Sequence, residues 1–131
     1  MGTSETTQMA IDRLLTEFVE QTPGVRGAVI GSADGLPISA HLSGMDVDAA
    51  TVAAMGSAML GLSAQLVRLG TDATTANTHV RGNVGQVWVL DIGRSASLTV
   101  LGADEGDAQT IAGAADAAAK RLVALLTAAT R

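Results

Sequence analysis

The chain has 131 residues, 47% of them hydrophobic and 16% charged, with a net charge of −5 and a mean hydropathy of +0.33. That length fits one domain, residues 1–131, able to bury roughly 65–70% of its unfolded surface; the composition excludes a disordered chain, and the acidic surplus without a basic stripe excludes nucleic acid as the main partner. There is no cysteine, hence no disulfide framework and no cysteine metal site, and nothing in the opening thirty residues reads as an export signal, so the expected setting is the cytoplasm.

Residues 1–7 are polar and are expected to be disordered. Ile11, Leu14, Leu15, Phe18 and Val19 then recur at the i, i+3, i+4, i+7, i+8 spacing of one buried helix face. Thr22-Pro23-Gly24 stops that helix, because proline disfavours helical geometry in the residue before it. Residues 25–32 read as a strand. Ala33-Asp34-Gly35 turns it into a second at 36–41, where Pro37 lacks a backbone donor and points to a sheet edge.

Residues 46–68 predict a long helix of an unusual kind. Between Asp48 and Arg68 no side chain ionises, and the run is built from Ala, Met, Leu, Val, Gly and Ser. A surface helix should carry a charged face; this one has none, so most of its circumference must be covered, and a small domain cannot do that alone. Asp46 or Asp48 is expected to cap its start and Arg68 and Gly70 to close it. Its length would also suit a bilayer, but Ala, Gly, Ser, Thr and Gln make up about half of it, too polar for direct membrane insertion.

Residues 73–80 are Thr-rich and predict a weak strand, and Gly82-Asn83-Val84-Gly85 turns it. Residues 86–92 read as the central strand, with Val87 and Val89 on one face and Trp88, Leu90 and Ile92 on the other, both covered. Residues 97–101 form a short last strand, and a final helix over 104–126 puts Ile111, Ala115, Ala118, Leu122 and Leu125 on one side. The order α-β-β-α-β-β-β-α implies an α/β (α+β) sandwich: one five-stranded antiparallel sheet with helices on both faces.

Little in the chain supports catalysis, and the expectation is a non-enzyme with no catalytic residue, no metal site and no cofactor. Only His41, His79 and a single lysine, Lys120, stand beside the carboxylates, and no nucleophile has a base at useful spacing. Asp46 with Asp48, and Asp104-Glu105 with Asp107, precede helices, where acidic side chains cap free amides rather than hold metal; Asp34 is a turn residue. Gly82-Asn83-Val84-Gly85 lacks the Gly-Lys-Ser/Thr of a phosphate loop. Arg26, Arg68, Arg81 and Arg94 lie near turns or helix ends, where one inserted guanidinium could act on a nucleotide partner, although ordinary surface solubility is the favoured account of each.

The block Pro23-Gly24-Val25-Arg26-Gly27-Ala28-Val29-Ile30, continuing through Ser32-Ala33-Asp34-Gly35-Leu36-Pro37-Ile38, resembles the opening of a Roadblock/LC7 domain. The Ala/Met/Gly-rich helix and the strands around Trp88-Val89-Leu90 and Leu98-Thr99-Val100-Leu101 continue the likeness over nearly the whole chain. It is most similar to small bacterial members found with Ras-like GTPases. The resemblance implies a profilin-like fold and a homodimer with the middle helices side by side and the third strands paired. In that arrangement Ala49, Ala53, Ser57 and Gly61 form a ridge of small side chains for the second helix, and Thr74, Ala76, Thr78 and Val80 form the seam strand. Gly56 and Gly61 each cost about 1 kcal/mol inside a helix, which close packing would offset.

Met55, Met59, Leu62 and Leu66 are then expected to face the sheet. Thr51, Val52, Ser63, Gln65 and Arg68 are left as candidates for partner contact. The implied function is a homodimeric regulator that binds a small Ras-like GTPase and modulates its nucleotide cycle, GTPase activation being the sharper form, with recruitment to a membrane-associated complex. The alternatives are a small-molecule sensor module and a scaffold subunit of a signalling complex without effect on GTP turnover.

Overall fold

A computed structural model describes residues 5–73, 77–93 and 95–129. Helix α1 (Glu5–Gln21) buries Ile11, Leu14, Leu15, Phe18 and Val19, the face its spacing predicts. It begins three residues inside the stretch expected to be irregular and ends where Thr22-Pro23-Gly24 breaks the helical repeat. Strands β1 (Val25–Ser32) and β2 (Pro37–His41) follow. Their turn closes with the Ser32 amide donating to the Leu36 carbonyl at 2.8 Å, and Gly35 adopts φ +80°, which an L side chain rarely does.

Helix α2 (Ala49–Gly70) is succeeded by β3 (Thr78–Arg81), β4 (Gln86–Ile92), β5 (Ala96–Gly102) and α3 (Ala108–Ala129). Asp48 stands at the α2 N-cap, but its carboxylate makes no cap bond to backbone and instead accepts from the Thr51 hydroxyl at 3.1 Å. Asp107 does cap: its Oδ2 accepts from the Thr110 amide at 3.2 Å and from the Thr110 hydroxyl. At the far end of α2, the amide and hydroxyl of Thr71 both donate to the Val67 carbonyl, at 2.9 and 2.8 Å.

The sheet is antiparallel throughout, in the order β2-β1-β5-β4-β3. The middle position belongs to β5, not to β4 as the sequence pattern predicts. Both strands are covered on both faces, so hydropathy does not separate them; β5 is central because it pairs along its length with β1 and β4. Ala28, Ile30, Trp88, Leu90, Ile92, Leu98 and Val100 point to α1 and α3 and join Ile11, Leu15, Ile111, Ala115 and Leu122 in the main core. The opposite face, under α2, is built of small and polar groups: Gly31, Ser97 and Thr99, with Val29 and Val89.

That asymmetry determines how α2 sits. Ala53 is 1% exposed, and a methyl group placed on Gly31 would lie 3.1 Å from its Cβ. Gly56 lies directly over Thr99: a Cβ there would meet Thr99 Oγ1 at 2.2 Å. Ser97 Oγ and Thr99 Oγ1 are buried without a hydrogen-bond partner among the described residues. A helix lying this low on a sheet must present its small residues inward. Its large residues are therefore forced out.

Candidate functional site: an apolar helix face beside the β3 edge of the sheet

On α2 the positions 52, 55, 59, 62, 66 and 69 are occupied by Val, Met, Met, Leu, Leu and Leu, spaced alternately by three and four residues. This is the a/d repeat of a helix that packs along another helix. Met55, Leu62, Leu66 and Leu69 are 63, 61, 61 and 85% exposed, and Val52 and Met59 are half-buried at the margin. The expectation that Met55, Met59, Leu62 and Leu66 face the sheet is thus reversed. The space beneath the helix is occupied by Gly31, Ser97 and Thr99 at distances that admit only Ala53 and Gly56.

The ridge of small residues divides accordingly. Ala53 is sealed against the protein's own sheet and is not available to a second helix. Ser57 is half-buried, its hydroxyl donating to the Ala33 carbonyl at 3.1 Å, and its Cβ lies near Gly35 of the β1–β2 turn. Ala49 is half-buried, whereas Gly61 is exposed, with open space for 4 Å around the point where a Cβ would stand. Among the candidates for partner contact, Thr51, Gln65 and Arg68 are exposed, but Ser63 turns inward, its Oγ 2.6 Å from Thr78 Oγ1.

That Ser63–Thr78 contact sets the helix beside β3, the last strand of the sheet. Thr78 pairs with Val89 and Val80 with Val87, and Val80 is 46% exposed on the face that carries α2. The seam residues Thr74 and Ala76 lie outside the described residues, as does Arg94. The two sheet edges differ in kind. On β2, Pro37 removes a donor and Gln8 Nε2 donates to the Ile38 carbonyl at 2.9 Å, so the edge is partly blunted. On β3 no such side chain is found among the described residues. An apolar stripe and an open edge therefore lie next to each other on one flank.

The histidines sit elsewhere. His41 Nδ1 is 3.4 Å from Thr16 Oγ1, between β2 and α1. His79 stacks on Trp88 with ring centroids 4.8 Å apart and planes 13° from parallel, on the sheet face opposite α2. Its Nε2 lies 3.0 Å from Oε1 of Gln86, a residue that sequence pattern marks only as the start of a strand. Gln86 is 3% exposed and fully engaged: its Nε2 donates to the carbonyls of Ala103 (3.1 Å) and Gly106 (2.8 Å), and its Oε1 also accepts from Arg81 at 3.2 Å. Because the amide is oriented by those two carbonyls, the proton of the neutral imidazole belongs on Nε2. Arg81 further pairs with Asp104 at 3.8 Å, and Arg26 and Arg68 are exposed.

An antiparallel sheet with helices on both faces, with an apolar helix stripe and an end strand on one flank, defines a fold of the α/β sandwich class. The family model for the Roadblock/LC7 domain matches residues 11–102. The chain belongs to the Roadblock/LC7 domain family. An uncharacterized protein of Methanocaldococcus jannaschii is 35% identical over 83 residues, 63% of this chain and 71% of its own. The crystal structure of a Roadblock/LC7 domain from Streptomyces avermitilis matches with a TM-score of 0.80 at 25% identity, covering 88% of this chain and 97% of that one. In fold, the chain is also similar to Myxococcus xanthus MglB, with a TM-score of 0.81 at 16% identity, covering 100% of this chain and 96% of the other.

Proposed function

We propose that the protein is a homodimeric regulator that binds a small Ras-like GTPase and modulates its nucleotide cycle. The observation that carries the reading is the a/d stripe of α2, exposed over several turns beside the open edge of β3. One identical copy covers both features at once. Helix lies along helix with the shallow crossing that a three-four repeat favours, and β3 meets β3 to extend the sheet through backbone bonds.

Among the described residues α2 is the one helix whose length and apolar composition would allow it to cross a membrane. Protein is the better cover. One of its faces is already committed to Ser97 and Thr99, and Ser63 is bonded to β3. Localisation in the cytoplasm, with recruitment to a membrane-associated complex, belongs to the same proposal.

The GTPase as partner rests on family membership and on the resemblance to bacterial members found with such proteins. The polar positions that flank the stripe, Thr51, Gln65 and Arg68, remain exposed for it. The dimer carries no catalysis of its own in this reading, since His41 and His79 are engaged in structural contacts. It acts by holding the switch segments of the GTPase in one arrangement, which changes turnover only through unequal affinity for two states. The test adds the wild-type protein and a Leu62→Glu monomer to a small Ras-like GTPase, and follows hydrolysis and nucleotide release. The dimer is expected to bind and change one of the two rates, and the monomer to lose the effect. Binding with both rates unchanged would instead define a scaffold.

A further inference from the structure

On the sheet face away from α2, helix α3 leaves β3 uncovered, and a cleft of about 460 Å³ opens between them. It is lined by the buried side chains of Trp88 and Leu90 from β4, by His79 from β3, and by Ala108, Ala112 and Asp116 from α3. We propose that this cleft is a docking site for a basic, apolar peptide segment, taking an arginine side chain across the His79–Trp88 stack with its guanidinium directed to Asp116.

Three features fit that occupant. The His79 ring lies parallel to Trp88 and is held by Gln86, so it presents a pre-oriented aromatic face of the kind on which a planar guanidinium stacks. The alanines of α3 leave room for the aliphatic stem. Asp116 is the carboxylate that lines the cleft, paired with Lys120 at 3.1 Å, and no lysine or arginine among the described residues lines it; Asp104, Glu105 and Asp107 precede α3, with Arg81 paired to Asp104 at 3.8 Å. The Lys120–Asp116 pair is an exposed i,i+4 contact, the type that contributes little and exchanges readily for a better-placed partner. The lining residues all come from one protomer, but Thr78 and His79 belong to β3, so the cleft borders the seam of the pairing proposed above.

Trp88 is the only tryptophan in the chain and lines the cleft. The experiment titrates the protein with three pentapeptide amides identical except for a central arginine, citrulline or glutamate, and follows Trp88 emission. The arginine peptide is expected to give a saturable change, with affinity about fivefold above the citrulline peptide and no saturation with glutamate. Asp116→Asn should abolish the preference for arginine over citrulline. Ala112→Phe, at an exposed helix position where folding is checked by circular dichroism, should fill the cleft and remove binding. A Leu62→Glu monomer should bind as the wild type does, which separates this proposal from the dimer. No saturable response to the arginine peptide, equal affinity for glutamate, or undiminished binding by folded Ala112→Phe would overturn it.

Discussion

Gly56 and Thr99 show in one contact why α2 lies as it does. A Cβ at position 56 would meet Thr99 Oγ1 at 2.2 Å and Thr99 Cβ at 3.5 Å, so Thr99 would have to turn or the helix to lift. Gly56→Ala, which in a free helix would stabilise by up to about 1 kcal/mol, is expected here to destabilise by about 1–3 kcal/mol through overpacking. Denaturant unfolding of Gly56→Ala, Thr99→Ala and the double variant measures the coupling; the double variant should recover most of the loss. Gln86 is a second buried position with several partners. Replacing it by leucine strips partners from two carbonyls, His79 and Arg81, and should lower stability by about 1–3 kcal/mol in the same assay.

At the scale of elements, α2 and β3 carry the proposed interface. Leu66→Glu places a charge in the middle of the exposed stripe while touching no core contact, so the variant should keep its circular dichroism and lose self-association. Ser57→Glu would instead disturb the docking of the β1–β2 turn on α2, because the Ser57 hydroxyl is bonded to Ala33. For β3, hydrogen exchange at residues 78–81 should slow as protein concentration rises through the dimerisation range, while exchange in β2, whose edge is already partly blunted, should not change.

Much of this level was legible in the sequence. The face of α1, the bounds of β1, the turn at Asp34-Gly35, the edge position implied by Pro37 and the buried side of α3 all follow from local period and turn chemistry. The orientation of α2 did not. With no charged residue between Asp48 and Arg68, periodicity yields two overlapping stripes, one of small and one of large side chains, and nothing local says which meets the sheet. That depended on Gly31, Ser97 and Thr99, distant in sequence, which create a shallow floor only when β1 and β5 pair. The central position of β5 and the Gln86 hub were hidden for the same reason: both are products of strand order. The Trp88 and His79 stack likewise joins two strands across a turn and carries no signature in either.

For the whole molecule, one sheet face is sealed by α1 and α3 around a large-residue core, and the other by a single helix that lies low and turns its methionines and leucines outward. The second face thus leaves a row of large apolar side chains exposed. Family membership in Roadblock/LC7, the three-four repeat of α2 and the contrast between a partly blunted β2 edge and an open β3 edge all favour completion by a second identical chain. Mass in solution tests this most directly, by light scattering or native mass spectrometry at micromolar concentration with Leu62→Glu alongside. The wild type is predicted to weigh two chains of 13.1 kDa and the variant one; a wild type that stays folded at the mass of one chain throughout that range would contradict the account.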